Sequence, residues 1–253
     1  MIKISSITIA KDEEKNIARC ILSLQNVADE IIIVLDDKTK DTTENIVKTF
    51  PHVILIKTEW QGYSKSKQAG LNIASNDWVL WIDADEEVTP KLADELKTFK
   101  ESSEQGYPAY SVPRKAYFLG KWIKHSGWYP GRVTRLFNKQ KVNFVDKAVH
   151  EHLDAGTDVG QLRSDLNHFT DPNIEHYYTK FNIYTSLAAQ DLLRSEKAFS
   201  ISDITLRPIF LFIKMYILKR GFLDGIQGFI LAVSSAHYVF AKYAKLWELK
   251  KKE

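Results

Sequence analysis

The sequence predicts an α/β fold with a mostly parallel sheet, followed by a helical C-terminal extension. In the first half, short apolar runs alternate with stretches of helical period. The apolar run 78–82 is uninterrupted and stops at acidic residues, which is typical of a strand buried on both faces. Beyond residue 170, two apolar and basic stretches indicate amphipathic helices.

The alternation in the first half predicts four strands and three helices. In the first helix, Ile17, Ile21 and Leu24 share one face, as a core-facing helix requires. Strands that alternate with helices of this length imply right-handed crossovers and parallel pairing. The predicted elements are, in order, strand 4–9, helix 13–24, strand 31–35, a helix capped by Thr42 or Thr43, strand 53–56, helix 64–74 and strand 78–82.

Size and composition fit one large core with an appendage. The chain has 253 residues, of which 44% are hydrophobic. Its single cysteine, Cys20, is predicted to be a small core residue and not a nucleophile. One cysteine cannot form a disulfide within the chain, and residues 1–8 lack the apolar core and cleavage site of a signal peptide, so we expect a reducing, cytoplasmic setting. The net charge of +3 is too small to favour nucleic acid as a partner.

Two carboxylates, Asp83 and Asp85, follow the strand predicted at 78–82. Ligands bind at the carboxyl ends of parallel strands, and two hard oxygen ligands there suit Mg²⁺ or Mn²⁺ bound to a diphosphate. Alternatively, the two residues begin a loop and cap a helix that opens near Thr89-Pro90. No glycine-rich phosphate loop follows the first strand, so neutralisation of a phosphate would depend on such a metal.

Seven segments follow one another along the chain in a recognisable order: 6–17, 29–36, 41–43, 78–87, 131–137, 149–151 and 167–169. Their order resembles family 2 glycosyltransferases of the GT-A fold, with its Rossmann-like sheet. The resemblance is closer to the subgroup that includes the lipopolysaccharide core glucosyltransferases of the WaaE type. It covers nearly the whole chain in order.

The resemblance implies an inverting transfer of a sugar from a nucleotide donor, usually a UDP-sugar, to an acceptor hydroxyl. It implies a GT-A domain at 1–170, with a nucleotide-binding half at 1–100 and an acceptor half at 101–170. Ala10 and Glu13 would line the nucleotide pocket, and Asp36 would contact the uracil or ribose. Asp83 and Asp85 would form the Asp-x-Asp pair, with Asp85 in direct contact with the metal.

Two positions depart from the family pattern, and both bear on the nucleotide pocket. Asp12 stands where the family usually has Asn, and Lys38 stands where it usually has Gly or another small residue.

A general base must accept the proton of the attacking hydroxyl. Glu151 is the first candidate because it lies in a segment that the resemblance marks, and Asp146 is the second. Either carboxylate could instead be structural, Asp146 in a turn and Glu151 in a pair with Arg132 or Arg135. GT-A enzymes often add a late histidine to the metal site. Of the three late histidines considered, His168 is favoured over His150 and His152.

The segment 107–144 is rich in aromatic and cationic side chains, which suits an acceptor that carries sugars and phosphates. Trp122 and Trp128 could contact such an acceptor or pack in the core. For Arg132 and Arg135, a role at the diphosphate is a further alternative. The expected acceptor is a glycolipid or polysaccharide of lipopolysaccharide core or other cell-envelope glycan synthesis.

The C-terminal extension, predicted at 171–253, is basic and apolar. Residues 206–253 carry nine Lys or Arg against three acids. Such helices could lie on the anionic cytoplasmic face of the inner membrane, or pack on the domain or on a second subunit of a homo-oligomer. Two other functions stay open: a phosphatase or phosphotransferase with an aspartyl nucleophile, and a non-catalytic module that binds membrane or carbohydrate.

Overall fold

The computed structural model describes residues 1–102, 105–145, 152–154 and 158–251. The chain divides into two compact units. The first unit comprises Met1–Arg114 and Arg132–His168, and the second comprises Lys115–Gly131 and Phe169–Glu253.

Strands and helices alternate at the start of the chain, and strands then predominate up to residue 171. The elements are β1 (Ile4–Ala10), α1 (Ile17–Leu24), β2 (Glu30–Asp36), α2 (Thr43–Lys48), β3 (Val53–Thr58), α3 (Tyr63–Ile73), β4 (Trp78–Trp81), β5 (Glu86–Val88), α4 (Pro90–Glu101), β6 (Ala109–Phe118), β7 (Lys121–Trp122), β8 (Gly131–Asn138), β9 (Asn143–Val145), β10 (His152–Asp154), β11 (Val159–Gln161) and β12 (Leu166–Asp171).

Helices make up the rest of the described chain. They are α5 (Ile174–Arg194), α6 (Ile201–Ile204), α7 (Leu206–Ile213), a π-helical turn (Lys214–Leu218), a 3₁₀ turn (Gly221–Asp224) and α8 (Gly225–Lys250). Within the described residues, no helix is both long enough and apolar enough to cross a lipid bilayer.

The main sheet has the strand order β3-β2-β1-β4-β8-β6-β12-β5, and β7 and β11 also pair with β6. The first four strands are parallel to one another, whereas β8 runs antiparallel to β4. Strands β9 and β10 form a separate antiparallel pair. The prediction of an α/β fold with parallel strands and a helical C-terminal part is therefore confirmed.

Apolar side chains cover both faces of the parallel strands, which explains why β2 and β4 are apolar without interruption. On one face, α1 and α4 contribute Ile17, Ile21 and Leu92 to a fully buried cluster. On the other face, Ala69 and Leu71 of α3 pack against a second cluster. Cys20 lies in the first cluster, and burial raises the pKa of its thiol to about 12, so the prediction of an inert core residue holds.

The first helix begins four residues later than predicted. Asp12 adopts a left-handed conformation with φ of 52°, and a turn follows in which the Asn16 N–H donates to the Glu13 carbonyl at 2.9 Å. Asp tolerates this conformation better than most residues. The Asp12 carboxylate also accepts a hydrogen bond from the Lys40 N–H at 2.7 Å, so this residue shapes the loop after β1.

The second unit has its own core. Phe118 and Ile123 pack against Met215, Leu231 and Ala232. Nearer the C-terminus of α8, Tyr243 and Leu246 pack against Ala189 of α5.

Candidate active site

Parallel pairing gathers polar residues at one edge of the first unit. Strands β2, β1 and β4 are neighbours and run in the same direction. Asp36 ends β2, Ala10 ends β1, and Asp83 and Asp85 follow β4, so all four residues lie at the carboxyl edge of the sheet. Open α/β sheets bind ligands at such an edge.

Arg135 connects two carboxylates next to this edge. Strand β8 places Leu136 opposite Leu80, so Arg135 lies toward the end of β4. Its guanidinium donates to the Asp83 carboxylate and, at 2.6 Å, to Glu86. The other Glu86 oxygen accepts the Asp83 N–H at 3.0 Å. Glu86 is fully buried, and Arg135 is 7% exposed, so this is an internal ion cluster.

Desolvation and charge act in opposite directions on the two carboxylates. Desolvation raises the pKa of Glu86, and the nearby Asp83 charge adds to this rise. For Asp83, the charges of Arg135 and Lys67 outweigh desolvation, so the pKa lies below its ordinary value. Asp83 is thus held as a carboxylate, with its Oδ2 atom bound by Arg135.

Asp85 faces a histidine from a distant part of the chain. Strand β12 runs antiparallel to β5, and His168 is paired with Glu86 in this register. The His168 Nε2 atom consequently lies 3.3 Å from Asp85 Oδ2, and the two side chains are 14% and 17% exposed. His168 Nδ1 is buried and has no hydrogen-bond partner among the described residues.

The Asp85–His168 pair fits a divalent cation that is also bound by a substrate. A carboxylate oxygen and an imidazole nitrogen are both common ligands of first-row divalent metals. Among the described residues, no cluster of three or more His, Cys, Asp or Glu side chains is arranged to hold a metal. The remaining ligands would have to be phosphate oxygens and water, which is the usual pattern when Mg²⁺ accompanies a nucleotide.

The residues predicted to bind the nucleotide lie at the ends of β1 and β2. Ala10 is 6% exposed and belongs to the core cluster below the edge. Glu13 accepts a hydrogen bond from the Asn16 side chain at 2.8 Å. Asp36 is buried beneath Lys11, whose Nζ atom lies 2.8 Å from its carboxylate. Desolvation opposes ionisation of Asp36, but the bond from Lys11 prevails and lowers the pKa.

Both candidate bases, Asp146 and Glu151, lie outside the described residues, as does His150. His152 begins β10, for which the structure describes only the backbone. The two carboxylates therefore stay predictions based on the resemblance.

Asp83 and Asp85 do not cap the following helix, contrary to the alternative interpretation. Helix α4 is capped by Thr89, whose hydroxyl accepts the Leu92 N–H at 3.2 Å. Neither aspartate serves as that cap, and the contacts of both are instead with Arg135 and His168, respectively.

Arg132 and the two tryptophans have structural contacts of their own. Arg132 donates to the carbonyl oxygens of Ser111 and Leu162 at 2.8 and 2.6 Å. In the second unit, the ammonium groups of Lys115 and Lys124 each lie 4.7 Å from the Trp122 ring. Trp128 packs edge-on against the buried Phe118 ring.

Sequence reasoning missed the role of two residues in this site. Glu86 was part of the acidic cluster after β4, but nothing local shows that it is buried. Lys67 of α3 lies 3.8 Å above the Trp81 ring and contributes to the charge around Asp83. A lysine on the otherwise buried side of α3 is the signal that could have drawn attention to it.

Comparison with known proteins identifies the family to which this site belongs. Residues 5–169 match the family described as Glycosyl transferase family 2. That range covers well over half of the chain and includes every described residue of the site. The chain belongs to glycosyl transferase family 2. It is thus a glycosyltransferase, as the resemblance implied.

Two proteins named as glycosyltransferases match nearly the full chain. An uncharacterised glycosyltransferase of Rickettsia typhi is 33% identical over 259 residues, which cover 98% of this chain and 88% of the relative. The lipopolysaccharide core biosynthesis glycosyltransferase LpsC of Rhizobium meliloti is 27% identical and covers 97% of this chain and 92% of its own.

Solved structures confirm the GT-A fold. The mannosyltransferase PcManGT from Pyrobaculum calidifontis, in complex with GDP-Man and Mn²⁺, superposes with a TM-score of 0.58. The match covers 99% of this chain and 88% of that one, at 13% identity. At this identity the likeness concerns the fold alone.

Proposed function

We propose that this glycosyltransferase is a metal-dependent, inverting enzyme that transfers a hexose from a nucleotide donor to a hydroxyl of a cell-envelope glycan. The juxtaposition of Asp85 and His168 at the carboxyl edge of the parallel strands carries the proposal. Mg²⁺ or Mn²⁺ held by Asp85 and His168, with Asp83 beside them, would offset the negative charge of the leaving diphosphate.

The side chains around the pair have separate tasks in this proposal. Arg135 fixes the orientation of Asp83 and supplies a positive charge close to the diphosphate. Asp36, at the end of β2, accepts a hydrogen bond from the uracil or ribose once Lys11 moves aside. Ala10 and Glu13 form the adjoining wall of the nucleotide pocket.

The bond changes follow from the chemistry of an acetal donor. The acceptor oxygen attacks the anomeric carbon from the face opposite the diphosphate, and the bond between that carbon and the phosphate oxygen breaks. The nucleoside diphosphate leaves, and the hydroxyl proton passes to a carboxylate. We assign that carboxylate to Glu151, with Asp146 as the second choice.

The acceptor class rests on a relative. LpsC takes part in lipopolysaccharide core biosynthesis, and its match extends over nearly the whole chain. We therefore propose a glycolipid or saccharide acceptor of lipopolysaccharide core or related synthesis on the cytoplasmic side of the inner membrane. Membership of family 2 favours this transferase over the aspartyl phosphatase and the non-catalytic module.

The test is nucleotide release from a panel of UDP-, GDP- and dTDP-hexoses with Mn²⁺ or Mg²⁺. GDP-sugars belong in the panel because PcManGT was solved with GDP-Man. The parent should turn over one donor, and EDTA should abolish the turnover. Asp85→Ala should lower it by on the order of 10²–10³-fold, because electrostatic stabilisation of the leaving group is lost.

Glu87→Gln is the matched control, since Glu87 lies two residues further on and its carboxylate binds the Asn167 amide at 2.8 Å. It should retain most of the activity. Turnover that survives both EDTA and Asp85→Ala would contradict the proposal. Release of phosphate from a simple phosphoester, without a nucleotide sugar, would support the phosphatase instead.

A further inference from the structure

The second unit exposes a continuous set of large apolar side chains. In α7 and the π-helical turn they recur at helical spacing, as Leu206, Ile209, Phe210, Ile213 and Ile217, each at least 43% exposed. This spacing places them along one side of the helix. Such a stripe usually faces a core, whereas here it faces outward.

The start of α8 extends the same surface. Ile226, Phe229 and Val233 are 65%, 42% and 43% exposed and share one side of that helix. The Phe229 ring lies 5.5 Å from Tyr216 of the π-helical turn, so the two stripes adjoin. We call the exposed apolar side chains of residues 206–233 the apolar face.

The opposite side of these helices is already occupied. Met215, Leu231 and Ala232 are buried and pack against Phe118 and Ile123. Burial of these side chains accounts for the attachment of the helices to the second unit. The apolar face is therefore additional to what this unit needs for its own core, and contiguous apolar surface of this kind marks an interaction site.

The charges that accompany the apolar face are of one sign. Lys214, Lys219 and Arg220 are exposed. The acid in this segment, Asp224, is 2% exposed, and its carboxylate accepts hydrogen bonds from the Lys124 and His125 N–H groups at 3.2 and 2.9 Å. Within residues 206–233, the exposed charged side chains, which also include Arg207, are therefore all positive.

We propose that the apolar face docks this protein on the surface of an anionic phospholipid bilayer. Apolar side chains would enter the boundary between headgroups and acyl chains, while Lys214, Lys219 and Arg220 extend to lipid phosphates. Each such cation near an anionic surface strengthens binding. A second copy of the chain fits less well, because a two-fold contact on this face would place one positively charged surface against another.

The test is co-sedimentation of the full chain with vesicles of phosphatidylcholine that contain phosphatidylglycerol, and with vesicles of phosphatidylcholine alone. The protein should bind the anionic vesicles more tightly, and added salt should weaken the binding. The triple variant Lys214→Gln, Lys219→Gln and Arg220→Gln should bind about a hundredfold more weakly. The double variant Phe210→Glu and Ile213→Glu should lose at least about tenfold.

Matched controls come from the first unit. Leu22 and Ile54 are 54% and 42% exposed, so Leu22→Glu with Ile54→Glu repeats the apolar change elsewhere. Lys3→Gln, Lys91→Gln and Lys97→Gln repeat the loss of three exposed charges. Both controls should bind like the parent, and circular dichroism should show all variants folded.

Three results would overturn the proposal. One is the absence of binding to anionic vesicles. Another is equal binding to anionic vesicles by the variants of the apolar face and by the control variants of the first unit. The third is a stable dimer, detected by analytical ultracentrifugation, that Phe210→Glu with Ile213→Glu dissociates, because the face would then join two copies of the chain. None of these readouts depends on transferase activity.

Discussion

The two units place charged and apolar groups in opposite ways. The first unit buries Glu86 and Arg135 inside an ion cluster and leaves five large apolar side chains exposed among its described residues. The described residues of the second unit expose nineteen such side chains. A hydrophobic core requires neither a buried ion cluster nor exposed apolar side chains. We therefore infer that each feature serves a function of the unit that carries it.

In the first unit, we propose that the buried charges support the chemistry at the carboxyl edge of the parallel strands. Buried ion pairs often stabilise a fold no more than apolar residues of the same size would. The cluster of Asp83, Glu86 and Arg135 is better explained by the position that it gives to Asp83 after β4. In the second unit, we propose that the exposed apolar side chains bind the surface of a lipid bilayer.

Of the substitutions that separate the two units, loss of Arg135 in the first unit should lower the free energy of unfolding the most. Arg135→Ala removes the cation that is hydrogen-bonded to both Asp83 and the buried Glu86, which should lower the free energy of unfolding by about 3–5 kcal/mol at neutral pH. Urea denaturation monitored by circular dichroism measures this loss. Arg114→Ala is the control, because Arg114 lies 3.7 Å from Glu86 and is more exposed. Equal losses in the two variants would show that Arg135 does not hold the cluster.

Glu86→Gln should change how stability depends on pH. Because the folded pKa of Glu86 is raised, its contribution to stability is complete below the unfolded pKa of about 4.3 and is lost as the pH rises toward the folded value. Gln has no proton to lose. Relative to the parent, the free energy of unfolding of the variant should therefore rise by up to about 1.4 kcal/mol per pH unit above pH 4.3.

Denaturation series at several pH values measure this difference. The exposed Glu101→Gln is a control for the removal of any carboxylate. A difference between Glu86→Gln and the parent that does not vary with pH would mean that Glu86 titrates like an exposed glutamate.

Thr89→Ala should lower the free energy of unfolding by about 1 kcal/mol, because α4 loses its N-cap. The substitution also removes the hydrogen bond that the Thr89 hydroxyl donates to the Asp165 carbonyl at 2.7 Å. Asp85→Ala should leave the stability of the helix unchanged. Thermal unfolding compares the two variants. A larger loss of stability in Asp85→Ala than in Thr89→Ala would indicate a structural role for Asp85 and would weaken its assignment as a metal ligand.

Charged substitutions on the apolar face should have the smallest effect on folding. Ile209→Glu and Ile213→Glu replace exposed side chains, so the free energy of unfolding should change by no more than about 0.5 kcal/mol. Leu231→Ala, in the fully buried core of the same unit, should cost about 2–5 kcal/mol. Urea denaturation separates these results, and similar losses at both positions would mean that the apolar face is part of the core.

The fold was predictable because its elements carry local signals. Strands β2 and β4 are uninterrupted apolar runs, and α1 repeats Ile17, Ile21 and Leu24 on one face. The start of α1 was predicted too early because the conformation of Asp12 depends on contacts with Lys40, which lies far away in the sequence. Helix ends are sensitive to such contacts.

The site was predictable only in part. Asp83 and Asp85 follow an obvious strand, so their place at the sheet edge could be inferred. The contact between Asp85 and His168 requires the register of β5 with β12, and the bond from Arg135 to Asp83 requires that of β8 with β4. Register between distant strands depends on the whole core, which no local pattern specifies.

Mn²⁺ binding in the presence of UDP or GDP tests the central claim most directly, because it needs no acceptor. An electron paramagnetic resonance titration should show that the parent binds Mn²⁺ together with one nucleotide. Asp85→Asn and His168→Gln should each weaken that binding strongly, whereas Glu87→Gln should not. Unchanged Mn²⁺ binding in both variants would contradict the assignment of the metal to Asp85 and His168.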